Sequence, residues 1–153
     1  MKNILTSLLL VTLVLTSCTK EEISVYDQPF VHINFNNLSS VNINSSRKDI
    51  VSYYVYLSSK PLEQDMQLDY SIIVGDGLQE NVDFKIITTE YPLIFPAGIY
   101  RRPIQIQWLE NEVDPLKDNT LTIRLNSNNL NISVGFPGPD SKQSELVLKK
   151  VNN

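Results

Sequence analysis

The sequence predicts an all-β protein, an antiparallel sandwich of about eight strands. Two observations carry this reading. Apolar residues alternate with polar ones at a period of two, and Gly, Pro, Asn and Asp break the alternation at short intervals. A third observation limits the topology: beyond residue 26 no segment has the three-and-four apolar spacing of a crossover helix. Strands joined by short connections then pair antiparallel and bury their apolar faces between two sheets.

The elements follow in order. Val31, Ile33 and Phe35 alternate with His32 and Asn34, which puts His32 on the face away from the core as an exposed strand residue. Val51, Tyr53, Val55 and Leu57 face inward and leave Ser52, Tyr54 and Tyr56 on the other side. Leu68, Tyr70, Ile72 and Val74 share one face, and Gly75-Asp76-Gly77 is expected to close that strand with positive φ angles. Phe84 and Ile86 come next, then Leu93 and Phe95 before the turn Pro96-Ala97-Gly98. Ile104, Ile106 and Trp108 alternate with Gln105 and Gln107, so Trp108 is expected in the core. Leu121, Ile123 and Leu125 form another inward set, and Leu146 and Leu148 the last. The Asn-rich stretches 34–44 and 126–131 read as loops or strand ends.

The first residues follow a different pattern. Lys2 precedes an apolar stretch from Ile4 to Leu15, too short to span a membrane and suited to the apolar core of a signal peptide. It ends in Leu15-Thr16-Ser17-Cys18, which resembles the lipobox of bacterial lipoprotein signals. That resemblance implies cleavage before Cys18 and acylation of its thiol with diacylglycerol and palmitate-type chains. Several chains on one residue hold a protein firmly where a single chain does not. Cys18 is the sole cysteine, which excludes an intrachain disulfide. The following Lys20-Glu21-Glu22 is similar to the short surface-export signal of Bacteroidetes lipoproteins; the other reading is a solvated charged tether. The organisation expected is a signal peptide over 1–17, a lipidated tether over 18–26 and one domain over 27–153.

The chain carries 13 Lys and Arg against 17 Asp and Glu, and Lys2 is the only charged residue of 1–17. The mature protein is therefore acidic, which argues against nucleic acid or an anionic lipid surface as a partner. The expected membrane contact is through the acyl chains alone.

From Tyr70 to Leu125 the chain resembles a Calx-beta domain, an immunoglobulin-like sandwich. The landmarks are Tyr70, Val82-Asp83-Phe84, Ile94-Phe95-Pro96-Ala97-Gly98, the alternating Ile104 to Trp108, an acidic stretch from Glu110 to Asp118, and Leu121 to Leu125. Similar modules occur in Bacteroidetes surface lipoproteins beside outer-membrane nutrient-uptake receptors. The resemblance implies Asp83, Glu110, Asn111 and Asp118 as calcium ligands, through the oxygen donors that Ca²⁺ prefers. The sequence departs from the calcium-sensing members at Pro115, where they have a glutamate, and at Asn111, where an amide replaces a carboxylate. A solvated acidic loop is the other reading of the same residues.

No catalytic constellation is visible. His32 is the only histidine, and the chain has no Gly-x-Ser-x-Gly elbow and no P-loop. The chain is thus expected not to be an enzyme. Binding residues would be aromatic: Tyr54 and Tyr56 as a stacking platform for sugar rings or a partner protein, unless a loop covers them. Phe136, within Gly135-Phe136-Pro137-Gly138-Pro139, is either a contact tip or a plug folded back on the sandwich end. Two functions stand. One is a lipid-anchored accessory module on the outer membrane's exterior, contacting a glycan, peptide or receptor protein. The other is a structural or calcium-stabilised spacer.

Overall fold

The computed structural model describes residues 28–153, so the expectations for Cys18, Lys20, Glu21 and Glu22 lie outside the described residues. Two five-stranded sheets pack face to face. The first has the order β5-β7-β3-β1-β9, from Phe84–Ile86, Arg101–Trp108, Ile50–Ser58, Phe30–Asn34 and Ser133–Val134. The second has the order β2-β10-β8-β4-β6, from Ser40–Asn44, Glu145–Val151, Thr120–Asn128, Met66–Val74 and Leu93–Phe95.

Alternation places the core as expected. Val31, Ile33, Val51, Tyr53, Val55, Ile104, Ile106 and Trp108 from the first sheet are buried against Leu68, Tyr70, Leu121, Ile123, Leu146 and Leu148 from the second. Burying an aliphatic or aromatic side chain of this size contributes about 1.5–3 kcal/mol, so this shared layer is the main stabiliser of the sandwich. Two of its polar atoms satisfy each other: the Trp108 indole N–H donates to the Tyr53 hydroxyl at 2.9 Å. Burial pushes that hydroxyl up to about 12, although the Trp108 bond pulls the other way, so Tyr53 stays neutral.

Three expectations are corrected. The described residues hold ten strands instead of about eight: β2 forms within the Asn-rich stretch 34–44, and β9 is a two-residue strand that its short alternation does not announce. Pairing is also not wholly antiparallel. β1 and β9 run parallel, as do β10 and β2, with Leu148 opposite Val41. Parallel neighbours need a long connection, and about a hundred residues separate the members of each pair. Alternation encodes which face a side chain takes and carries no information on strand direction.

The third correction concerns the end of β4. The register between β4 and β8 shifts between Leu68 and Tyr70, and Val74 ends exposed instead of joining the inward face. Gly75 and Gly77 that follow do not adopt positive φ. They are required by close approach: a Cβ on Gly75 would lie 2.2 Å from the Asp118 carbonyl oxygen, and one on Gly77 would lie 2.0 Å from Asn119 Oδ1.

Candidate functional site

The outer face of the first sheet gathers the aromatic residues. β3 pairs with β1 so that His32 faces Tyr56 and Asn34 faces Tyr54, and with β7 so that Pro103 faces Tyr54 and Arg101 faces Tyr56. Residues opposite one another in a sheet share a face, so Phe30, His32 and Asn34 join Ser52, Tyr54 and Tyr56, with Arg101, Pro103, Gln105 and Gln107 on the far side. The Tyr54 and Tyr56 rings stand 6.2 Å apart at 51°. Both are half-buried by their neighbours, and no loop seals them off. Gln105 Nε2 donates to Ser52 Oγ at 3.2 Å and fixes the polar flank.

A shallow depression of about 340 Å³ opens beside the two tyrosines, lined also by Asn34, Ser52 and the turn at Asn36 and Asn37. Asn36 and Asn37 adopt φ of 54° and 59°, the left-handed region that asparagine tolerates better than most residues. Asn37 N–H donates to Asn34 Oδ1 at 2.9 Å and Asn34 Nδ2 to Asn37 Oδ1 at 3.1 Å, which holds this wall rigid.

His32 takes the outward face that alternation predicts, but the expected exposure is wrong: it is only 8% exposed. The cause is Phe136. Gly135 at φ 80° turns the chain, its N–H donates to Val31 O at 2.8 Å, and Phe136 N–H donates to Lys142 O at 2.7 Å. The loop thereby folds back over the sheet face, and Phe136 stacks on His32 with centroids 4.9 Å apart while Phe30 closes on both rings. On its other side His32 stacks on Tyr56 at 5.7 Å. Burial lowers the imidazole pKa, and Nδ1 has no hydrogen-bond partner, so the ring is held neutral and behaves as one more flat aromatic plate. Phe136 is therefore a plug on the sheet's outer face, with 39% of its surface still open at the edge of the platform.

The acidic candidates do not converge. Asp83 is buried, and Asn111 Nδ2 donates to its Oδ1 at 3.0 Å, so these two are brought together. The position a cation would take is filled from within the chain: Lys150 Nζ lies 2.9 Å from Asp83 Oδ1 and 3.0 Å from Leu109 O. Gln79 N–H occupies Oδ2 at 2.9 Å. Glu110 turns away to pair with Lys48 at 2.5 Å. Asp118 accepts from the Thr120 hydroxyl at 2.7 Å beside Gly75. Among the described residues no three His, Cys, Asp or Glu side chains are grouped to hold a metal ion. The residues present do not fit calcium.

Burial acts to raise the Asp83 pKa, but hydrogen bonds from Asn111, Lys150 and Gln79 and the Lys150 charge outweigh it and hold the carboxyl below its ordinary value. Lys150 itself was missed by the sequence reading, though a signal existed: it continues the inward positions Leu146 and Leu148 by one more step of two. Arg101 was also missed. Its guanidinium carbon stands 4.5 Å from the Tyr54 ring centroid, a cation–π contact across the β3–β7 seam that only strand pairing reveals.

Fold and site together define a two-sheet β-sandwich with a rigid aromatic and amide-lined outer face. The chain matches no protein-family model. It has no match among curated proteins either.

Proposed function

We propose that this chain is a non-enzymatic, lipid-anchored surface module that binds a glycan on the outer face of its first sheet. The observation that carries the reading is the pair of tyrosine rings 6.2 Å apart beside an open depression walled by Asn and Ser. Sugar rings present apolar C–H faces that stack on aromatic rings and hydroxyls that pair with amide groups, and this face offers both. The platform needs little ordering on binding, because strand pairing, Phe136 and the Asn34–Asn37 turn already fix it.

The sequence supports the location: Leu15-Thr16-Ser17-Cys18 for acylation, then Lys20-Glu21-Glu22 for export to the outer membrane's exterior. The Calx-beta-like landmarks fit an accessory of a nutrient-uptake receptor. A non-catalytic role agrees with His32, the only histidine, whose contacts are aromatic rings.

Two measurements test this. Binding to a glycan array should weaken strongly in Tyr54→Ala and Tyr56→Ala, and binding that survives both would sink the platform. Metabolic labelling with a palmitate analogue should mark the wild type and leave Cys18→Ala unmarked.

A further inference from the structure

The five strands of the first sheet contain no Asp or Glu, in a chain that carries 17 of them. The charged residues on those strands are Lys85, Arg101 and Arg102, all cationic. Arg102 points inward and pairs with Glu90 at 2.5 Å. That leaves two cations on the outer face: Arg101 beside the tyrosines and Lys85, exposed and opposite Gln107. Gln107 lies six positions after Arg101 along β7, so the two charges bracket roughly 20 Å of face at the usual rise per residue. The second sheet is different, since its strands carry Asp69 and Glu145.

Arg101 is also singular among the four arginines. Arg47 pairs with Asp49, Arg102 with Glu90 and Arg124 with Glu145, and Arg101 alone has no carboxylate partner among the described residues. Its guanidinium is instead held over the Tyr54 ring, at the edge of the surface where a sugar would stack. A neutral sugar gains little from such a group. A sugar bearing a carboxylate gains a charge-assisted, two-pronged bond from a donor fork already in place.

We infer that the platform is selective for an acidic polysaccharide, one whose pyranose rings carry carboxylates, with the ring stacked on Tyr54 and Tyr56 and the carboxylate taken by Arg101. The inference rests on the glycan reading above and adds the ligand's charge. An acidic protein would otherwise repel such a polymer; outer-face strands that carry no acid and a cation at each end lower that barrier locally.

The test uses the protein with polygalacturonate and alginate as acidic probes, xylan and dextran as neutral ones, dextran sulfate as a carboxylate-free charge control, and phosphatidylglycerol vesicles. Tight binding to a uronate polymer is expected, lost about tenfold in Arg101→Gln, a change of one charge-assisted bond. It should also weaken with added salt. Arg101 is exposed, so an unchanged melting temperature in Arg101→Gln certifies that the fold is intact. Equal, tyrosine-dependent binding of neutral and acidic polymers, indifferent to Arg101→Gln, would overturn the inference and leave the glycan reading standing. Binding to no polysaccharide would overturn both. Dextran sulfate or vesicle binding indifferent to Tyr54→Ala and Tyr56→Ala, without uronate selectivity, would reduce the face to a generic cationic surface and overturn the inference.

Discussion

The Lys150 ammonium and the Asp83 carboxylate meet at 2.9 Å inside the sandwich end, with the lysine side chain 1% exposed and the aspartate 4%. The pair joins β10 to the loop before β5 and so ties the two sheets together at that end. A charge this deep is tolerated only while its partner and its hydrogen bonds persist. Asp83→Asn or Lys150→Met alone should therefore destabilise the domain by about 3–5 kcal/mol. The double variant should recover most of that loss, because it leaves no unpaired charge. Urea unfolding of the four proteins in a double-mutant cycle measures the coupling.

The same pair sets an acid limit. Asp83 has its folded pKa held below the ordinary 3.8, so its contribution is present above 3.8 and is lost as pH falls through the folded value. Between those limits the unfolded chain binds more protons, and stability should drop with each step of acid. A melting series from pH 5 down to pH 2 should show this slope in the wild type and a shallower one in the double variant.

Calcium should leave the melting temperature where it is. A ligand that binds only the folded state must raise stability by mass action. Here the oxygens of Asp83 are already engaged by Lys150, Asn111 and Gln79. A rise of several degrees in millimolar calcium would contradict this geometry.

His32 gives a second and separate pH dependence. Its folded pKa is lowered from 6.5 by burial between Tyr56 and Phe136. The neutral ring is the folded form, so stability is full above pH 6.5 and falls as acid takes the pH down through the folded value. His32→Phe should flatten the melting profile between pH 7.5 and 5. In Phe136→Ala, NMR titration should find the imidazole pKa moved back up toward 6.5, since the plug that desolvates it is gone.

Removing one hydroxyl from the core should be costly. Tyr53→Phe leaves the buried Trp108 N–H without its acceptor at no loss of volume, which costs about 1–3 kcal/mol. Chemical unfolding compared with a Tyr100→Phe control at an exposed position isolates the effect.

Much of this architecture was legible because a period of two is a strong signal where one face is buried. It sorted Tyr53 from Tyr54 correctly and put Trp108 inside. What it missed depends on partners distant in sequence. His32 lost its exposure to Phe136, about a hundred residues further along, and no local pattern announces that contact. Arg101 reaches Tyr54 only through the β3–β7 register. The Calx-beta resemblance implies Asp83 as a calcium ligand, and the residue is half of an internal ion pair because β10 brings Lys150 to it from 67 residues away.

The outermost strands of the two sheets are short: β5 and β6 have three residues, β9 two and β2 five. A long bare edge is a template on which another chain can add itself, strand to strand. If the lipid anchor proposed above holds the domain, molecules tethered side by side on one membrane would meet each other far more often than in free solution. Under that proposed anchoring, outermost strands this short would give neighbours little to zip along, and the lawn would remain a two-dimensional gas of separate molecules. Their combined grip on the proposed polysaccharide would then come from many independent contacts along one polymer chain.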